Sequence, residues 1–296
     1  MLNEKISVIL PTYNEEKAVA SVIDQITAVM NEKGYDFEII VVDDGSTDRT
    51  PEIAKEKNVR LLRHDINKGV GAARKTGILN AKGKIIVMLD ADGTYPVKSI
   101  PGLLQYIPEF DQVIGLRTSE QGSLRILRQP VKWAMFKIAS FLVKQKIPDL
   151  NSGLRALKKD ILLKYLHLIP NGFSCVSTMT LAFLCNGYSV KFVPIEYYKR
   201  IGKSKFRPIS DTRDFLFTII RIIMYFNPLR IFASLSFFLF LTGIAKTVYD
   251  VYFYSAGHIQ VSDVVIFVIA VVIFAFGLLA DLIVTHGKNI IQNIPW

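Results

Sequence analysis

The sequence predicts an α/β domain on a mostly parallel sheet, followed by a helical membrane segment. Three observations predict it. Short apolar runs alternate with amphipathic stretches through the first 115 residues. Runs such as EIIVV and KIIVML show no two-residue alternation, as expected of strands covered on both faces of a parallel sheet. The apolar excess is concentrated near the C-terminus: no charged residue appears in Ile231–Ala245 or Val264–Ala280, and removing everything from Asn227 leaves an ordinary soluble composition.

In chain order the strands are expected at Ile6–Leu10, Phe37–Val42, Val59–Leu62, Ile85–Leu89 and Gln112–Gly115. Helices are expected between them at Glu16–Lys33, Thr50–Lys57, Gly69–Ala81 and Pro96–Ile107. Ligands of such sheets bind beyond the carboxyl ends of the strands. The first strand ends in Pro11-Thr12-Tyr13-Asn14-Glu15, the second in Asp43-Asp44-Gly45-Ser46, and the fourth in Asp90-Ala91-Asp92-Gly93. Glu15, Asp43, Asp44, Asp90 and Asp92 therefore converge on one edge, and their mutual repulsion implies a cation or a hydrogen-bonding ligand. Asp90 and Asp92 offer hard oxygens two residues apart where the chain leaves the sheet, which suits Mg²⁺ or Mn²⁺ bridged to a diphosphate. An isolated pair of this kind also arises by chance in turns; a strand before it and the DDGS turn upstream make the pattern more specific. Neither a GxxxxGK[ST] loop nor a GxGxxG turn is present.

The net charge of +10 lies in two windows, Arg117–Lys146 and Arg200–Arg230, which call for anionic partners: phosphates or lipid headgroups. Nucleic acid is not expected, because no helix-turn-helix, zinc-finger or aromatic RNA-binding signature accompanies the charge. Cys175 and Cys185 form no CxxC pair, which points to a reducing compartment and no zinc site. His64, His167, His258 and His286 are scattered without ligand spacing and read as surface or packing residues. The N-terminus has too short an apolar run for a cleavable signal peptide. The composition excludes a disordered chain, a collagen-like repeat and a disulfide-stapled secreted domain.

Two membrane spans are expected at about 229–250 and 263–284, each near the ~20 residues that a bilayer core requires. A hairpin of buried core helices is the alternative. Lys246 is expected to snorkel from the far end of the first span. Arg221 and Arg230 precede the spans and Lys288 follows them, while Val251–Ser262 holds no Lys or Arg; both ends are therefore expected on the cytoplasmic side of the cell membrane. Within Asp211–Phe226, Asp214, Thr218, Arg221 and Tyr225 form one narrow polar stripe. That pattern is expected of a helix lying in the membrane interface, or of one packed on the globular domain. The expected organisation is a catalytic domain at 1–208, an interfacial amphipathic helix at 209–228 and a membrane domain at 229–296. A homo-oligomer is left open by the hairpin.

The set ILPTYNE, VVDDGSTD, NKGVGAARKTG, MLDADG, IGLR, DLNSGLRA and VPIEYYKRIGKSK resembles the family 2 glycosyltransferases with a Rossmann-like GT-A fold. Within that family it is similar to the polyprenyl-phosphate glycosyltransferases, the group that includes dolichyl-phosphate mannose synthase. The resemblance spans nearly the whole chain and leaves the sugar open. It implies that Pro11, Tyr13 and Glu15 cradle the nucleoside and that Asp43 or Asp44 binds the base. It also implies that Asp90, Ala91 and Asp92 meet the ribose and metal, with Asp92 the principal ligand. Arg117 would meet the phosphates and the acceptor, joined by Arg125, Arg128 and Ser152. Arg200, with Ser204 and Lys205, would close over the diphosphate in a mobile loop. Asp92, Arg117 and Arg200 would then carry catalysis. Thr94 departs from the glutamine that lipid-phosphate members often place near the metal.

A hydroxyl acceptor requires a base, whereas a lipid phosphate is largely ionised at neutral pH, with a second pKa of about 6 by analogy with phosphoserine. No Asp or Glu occurs from Ile161 to Ile195, the stretch in which many hydroxyl-directed relatives place their base, so a phosphate acceptor is expected. Asp149 opens the DLNSGLRA turn and is expected to be structural. Gln129–Trp133 mimics the QxxRW signature of processive synthases with lysine for arginine and an internal proline, and reads as coincidence. The expected reaction is the inverting transfer of one hexose from GDP-mannose or a UDP-hexose to dolichyl or undecaprenyl phosphate. The alternatives are a hydroxyl acceptor, or a non-catalytic nucleotide-sugar-binding scaffold.

Overall fold

A computed structural model describes residues 4–118, 140, 147–200, 217, 220–221, 224–225, 228–254 and 258–292. The chain divides into two compact units, Met1–Ile219 and Ile220–Trp296.

The first unit is built on seven strands: β1 (Ile6–Thr12), β2 (Phe37–Asp43), β3 (Arg60–Arg63), β4 (Ile85–Met88), β5 (Gln112–Arg117), β6 (Arg155–Lys158) and β7 (Val190–Ile195). They form one sheet in the order β3-β2-β1-β4-β6-β5-β7. Neighbours are parallel except where β6 runs antiparallel to both β4 and β5. All five expected strands are present. β1 and β5 run further than expected, to Thr12 and Arg117, which carries each strand directly into a candidate site residue. β6 and β7 were not among the expected strands, because each is short and interrupted by charge: RALK opens on Arg155, and VKFVPI carries Lys191.

The helices are α1 (Val19–Glu32), α2 (Thr50–Lys55), α3 (Val70–Asn80), α4 (Ile100–Leu104), α5 (Lys159–Lys164) and α6 (Cys175–Cys185). The single helix expected over 96–107 is split into a 3₁₀ turn at Val97–Ser99 and the short α4, with Pro101 in its first turn, where a missing N–H is tolerated.

Both faces of the sheet are covered, which explains why its strands lack alternation. Ile6, Val8 and Leu10 of β1 pack toward Val22, Ile23 and Ile26 of α1. Ile9 points the other way, into a cluster with Ile40 and Val42 of β2, Ala73 and Ile78 of α3, and Met179 and Phe183 of α6. Both hydroxyls of β1 are satisfied: Ser7 donates to Glu38 Oε1 at 2.6 Å and accepts from the Gly83 N–H at 2.8 Å, and Thr12 donates to the Val42 carbonyl at 3.3 Å. The entry of β5 is clamped by Asp111, whose carboxylate accepts from Lys158 Nζ at 2.8 Å and from the N–H and hydroxyl of Ser189, both at 2.9 Å. Burial works against this charge, but the lysine and the serine donors hold the carboxyl below the usual range.

The second unit is a helical hairpin, α7 (Pro228–Tyr249) and α8 (Val261–Gln292), with one turn of wider helix at Asp250–Tyr254. Pro228–Phe253 and Val261–Gly287 are long and apolar enough to cross a membrane, with mean hydropathies of 1.8 and 2.9. Within the hairpin, Gly243 and Gly277 let the aromatic rings of Phe267 and Phe232 lie close against the partner backbone. The Ser236 hydroxyl donates to the Ala270 carbonyl at 2.8 Å. Lys246 lies near the loop end of the hairpin with 36% of its side chain exposed. It is held by Asp250 at 2.5 Å, Asp263 at 2.7 Å and the Ser262 hydroxyl at 2.8 Å. Of the expected interfacial helix at 209–228, Phe217, Ile220, Arg221, Met224 and Tyr225 are helical, and most of the rest lies outside the described residues.

Candidate active site

The carboxyl ends of β1, β2 and β4 bring the expected acidic residues to one edge, and the structure shows how their repulsion is relieved. The β1 turn and the loop after β2 are stitched together. Asn14 adopts a left-handed conformation (φ 52°), its N–H donates to the Ser46 hydroxyl at 2.9 Å, and its Oδ1 accepts from the Thr47 N–H at 2.8 Å. The Glu15 N–H donates to Thr50 Oγ1 at 2.8 Å, and the Glu15 side chain is buried beside it. Pro11 is buried and Tyr13 half-buried along this turn.

Asp43 is fully buried, with Arg63 Nε 3.2 Å from Oδ2; the two are register partners on adjacent parallel strands. Asp44 is committed to the loop that follows β3. Its Oδ1 takes His64 Nδ1 at 2.6 Å and the Lys68 N–H at 3.0 Å, while Oδ2 takes the Gly69 N–H at 2.8 Å. His64 Nε2 lies 2.9 Å from Thr76 Oγ1 on α3, so this histidine is a buried strut. Gly69 stands at φ 96°, and a Cβ there would sit 2.5 Å from the Asn171 carbonyl oxygen, so glycine is required at the start of α3.

At the end of β4 the two aspartates differ. Asp90 Oδ1 accepts from Arg74 Nη2 at 2.6 Å, and its Oδ2 lies so close to Gly153 that a Cβ there would approach to 2.7 Å. Arg74 is itself buried beneath the cleft, where Cys175 and Asp90 keep it charged against the cost of burial. Asp92 is buried too. Its Oδ1 accepts from the Thr94 hydroxyl at 2.6 Å and the Thr94 N–H at 3.0 Å, and its Oδ2 faces Arg200 Nε at 3.2 Å. Burial, followed by the charge of Asp90, pushes the Asp92 carboxyl up. Arg200 Nη2 donates to Glu15 Oε1 at 2.8 Å, so one guanidinium joins the β1 and β4 turns. Thr94 thus orients Asp92 in place of the expected glutamine. Ala91, between the aspartates, is buried.

The expectation that these carboxylates need an external counter-charge is corrected in part. Arg63, Arg74 and Arg200 supply cations from within the chain, and His64 and backbone N–H groups hold Asp44. The carboxylate with the least complete internal compensation is Asp92, where burial and the neighbouring charge of Asp90 both oppose ionisation. Hard oxygens under that strain fit a divalent cation. Among the described residues no group of three or more His, Cys, Asp and Glu is placed to hold a metal.

At the end of β5, Arg117 forms a bidentate pair with Asp149, Nε to Oδ2 at 2.8 Å and Nη2 to Oδ1 at 2.9 Å. Its guanidinium carbon lies 5.3 Å from the Tyr197 ring centroid, and Tyr197 meets Tyr95 edge-on at 5.3 Å. The Tyr95 hydroxyl accepts from the Gly153 N–H at 2.6 Å. Asp149, expected to be structural, is the anchor of Arg117. Ser152, expected to meet an acceptor phosphate, is fully buried, and its backbone carbonyl accepts from Arg155 Nη2 at 2.5 Å. Arg155 is fully buried as well; burial and the like charge of Arg74 pull its guanidinium down to about 10. Arg125, Arg128, Ser204, Lys205 and the Gln129–Trp133 stretch lie outside the described residues.

Sequence reasoning missed Arg74, His64, Tyr95 and Tyr197. Arg74 stood within the NKGVGAARKTG run, but only the fold shows that its side chain reaches back to Asp90. His64 has no ligand spacing, and its partner Asp44 lies 20 residues away.

An α/β sheet with acidic strand ends, a DxD turn and basic residues facing it defines a sugar-transferring enzyme of the GT-A type. The chain matches the glycosyl transferase family 2 model over residues 7–166 and the GtrB C-terminal hairpin model over residues 227–285; it belongs to glycosyl transferase family 2 and is a glycosyltransferase. It is 31% identical over 209 residues to the dolichyl-phosphate hexose transferase of Haloferax volcanii, covering 70% of this chain and 89% of that one. Glycosyltransferase AglJ of the same organism is 27% identical over 98% of this chain and 97% of its own length. The undecaprenyl-phosphate 4-deoxy-4-formamido-L-arabinose transferase of Pectobacterium carotovorum is 28% identical, covering 69% of this chain and 63% of that one. The fold is shared with glucosyl-3-phosphoglycerate synthase of Mycobacterium tuberculosis, solved with Mn²⁺, UDP and its product. The TM-score is 0.60 at 21% identity, over 74% of this chain and 80% of that one.

Proposed function

We propose that this enzyme transfers one hexose from a nucleoside-diphosphate sugar to a polyprenyl phosphate, with inversion, at the cytoplasmic face of a membrane. The observation that carries the acceptor assignment is the Arg117–Asp149 pair. The one acid of the DLNSGLRA turn is held in a bidentate ion pair, so this part of the cleft offers an acceptor a cation in place of a base. A lipid phosphate needs no deprotonation at neutral pH, and a fixed guanidinium suits it. The names of the dolichyl-phosphate and undecaprenyl-phosphate relatives support the same class of acceptor.

In this reading a phosphate oxygen of the lipid attacks the anomeric carbon. The bond from that carbon to the nucleoside diphosphate breaks, and the electron pair leaves on the diphosphate. Asp90 and Asp92 would hold Mg²⁺ or Mn²⁺, which supplies Lewis-acid stabilisation of the leaving group. Pro11, Tyr13 and Glu15 would line the nucleoside, with Asp43 behind them. Arg200 would meet the diphosphate, and Arg117 the acceptor phosphate. The hairpin would hold the chain in the membrane that contains the carrier lipid. The lack of Lys and Arg in Val251–Ser262 supports a cytoplasmic position for both ends.

The test is an incubation of purified protein with Mn²⁺ and undecaprenyl or dolichyl phosphate. Radiolabelled GDP-mannose, UDP-glucose and UDP-N-acetylglucosamine are offered in separate reactions. Label is expected in the organic phase from one donor, only with phosphorylated lipid, in a product labile to mild acid. Label that enters unphosphorylated lipid would overturn the acceptor assignment.

A further inference from the structure

We infer that Arg200 is a latch. Its guanidinium stands between Glu15 and Asp92, against the Asp92 oxygen that a cation would use, so that divalent metal and nucleoside diphosphate bind tightly only together. The inference rests on the reading of Asp92 as the cation ligand and of the donor as a nucleoside-diphosphate sugar.

The two oxygens of Asp92 are not equivalent. Oδ1 is fixed by its own turn, receiving the Thr94 hydroxyl at 2.6 Å and the Thr94 N–H at 3.0 Å. Oδ2 is the oxygen left for a ligand, and Arg200 Nε stands 3.2 Å from it. The same guanidinium reaches Glu15 Oε1 through Nη2 at 2.8 Å. The contact with Asp92 is charge pairing without a hydrogen bond, since Arg200 Nε has no hydrogen-bond partner among the described residues, so the guanidinium is tethered to Glu15 and only faces Asp92. A cation that takes Oδ2 must therefore displace Arg200. Displaced alone, Arg200 gives up an ion pair in a partly desolvated cleft, and its own charge repels the incoming metal. A diphosphate that arrives alone meets the opposite difficulty, since Glu15, Asp90 and Asp92 face it with like charge.

Arriving together, each ligand removes the obstacle to the other. The metal neutralises Asp92, and the phosphate oxygens give the released guanidinium a bidentate anionic partner. The result is a coupling free energy between two ligands through one side chain, and it is reciprocal. Such a latch also keeps a buried, mutually repelling pair of aspartates compensated while the enzyme waits for substrate.

The experiment is Mn²⁺ binding to the full-length protein in detergent, followed by electron paramagnetic resonance with and without UDP or GDP. In the unsubstituted protein the preferred nucleotide should tighten Mn²⁺ binding at least about tenfold, within the usual range of coupling between sites. Arg200→Gln and Arg200→Met should each bind Mn²⁺ alone at least about fivefold more tightly than the parent, and the gain from nucleotide should shrink to about threefold or less. Asp92→Asn should abolish Mn²⁺ binding in every background. If neither Arg200 variant binds Mn²⁺ more tightly than the parent while Asp92→Asn abolishes binding, the latch is overturned and the metal site stands. Mn²⁺ binding that survives Asp92→Asn overturns both.

Discussion

In the cleft one arginine is shared by two carboxylates, Glu15 and Asp92; in the C-terminal hairpin one lysine is shared by two others, Asp250 and Asp263. The parts are alike, but the surroundings are not. Arg200 keeps 28% of its side-chain surface exposed at the proposed ligand site. Lys246 is the more exposed cation, at 36%, but its partner Asp263 shows no exposed side-chain surface and sits at the loop end of the apolar hairpin, away from any candidate site residue. An ion pair is exchangeable where a competing charged ligand can reach it, and permanent where loss of one partner leaves a charge stranded. The cleft pair is therefore expected to exchange for ligands and the hairpin pair to brace the turn between two helices.

The largest test of that contrast is Asp92→Asn, which should lower transfer about a thousandfold or more by removing charge aimed at the leaving group. Thermal unfolding and membrane insertion should be unchanged; a large loss of stability would mean that the cleft pair is architectural after all. Lys246→Met should do the reverse. With Asp250 and Asp263 left without their lysine, the hairpin should unfold at a lower temperature in detergent, while nucleotide binding persists. Adding Asp250→Asn and Asp263→Asn should recover most of that loss, because removing the whole ionic group leaves no stranded charge.

A middle-sized effect is expected of Asp149→Asn. With its anchor weakened, Arg117 should lower kcat/KM for the lipid acceptor about ten- to a hundredfold through misplacement, with donor affinity retained. An equal loss in donor affinity would place Arg117 on the donor side of the cleft. The smallest effect belongs to Asp111→Asn, about 1–2 kcal/mol of stability from one charged hydrogen-bonded group at the entry of β5. Its folded pKa is depressed, so its contribution is present above the unfolded value of about 3.9 and is lost as pH falls through the folded value. Denaturant titrations of the two proteins should therefore converge below about pH 4.

Much of this was legible in the residues. The five expected strands are found because unbroken β-branched runs bounded by turns leave few alternatives. β6 and β7 escaped because each carries a charged residue whose burial or pairing only the fold reveals: Arg155 is fully buried under carbonyl oxygens, and Lys191 lies 3.9 Å from the Tyr106 ring centroid. The acidic edge was legible as a set of strand ends. Its internal cations were not, since Arg74 reaches Asp90 across 16 residues and Arg200 reaches Glu15 across 185.

The α/β class, the order of strands and helices at the N-terminal end, the acidic strand ends and the two apolar helices could all be read from the residues. Those follow from local periodicity and composition, which act between near neighbours. Which cation meets which carboxylate, that Asp149 serves Arg117, and that Lys246 reaches Asp263 emerge from the packed fold alone. Those are pairings at long sequence separation, set by how the sheet and helices pack, and no local pattern encodes them.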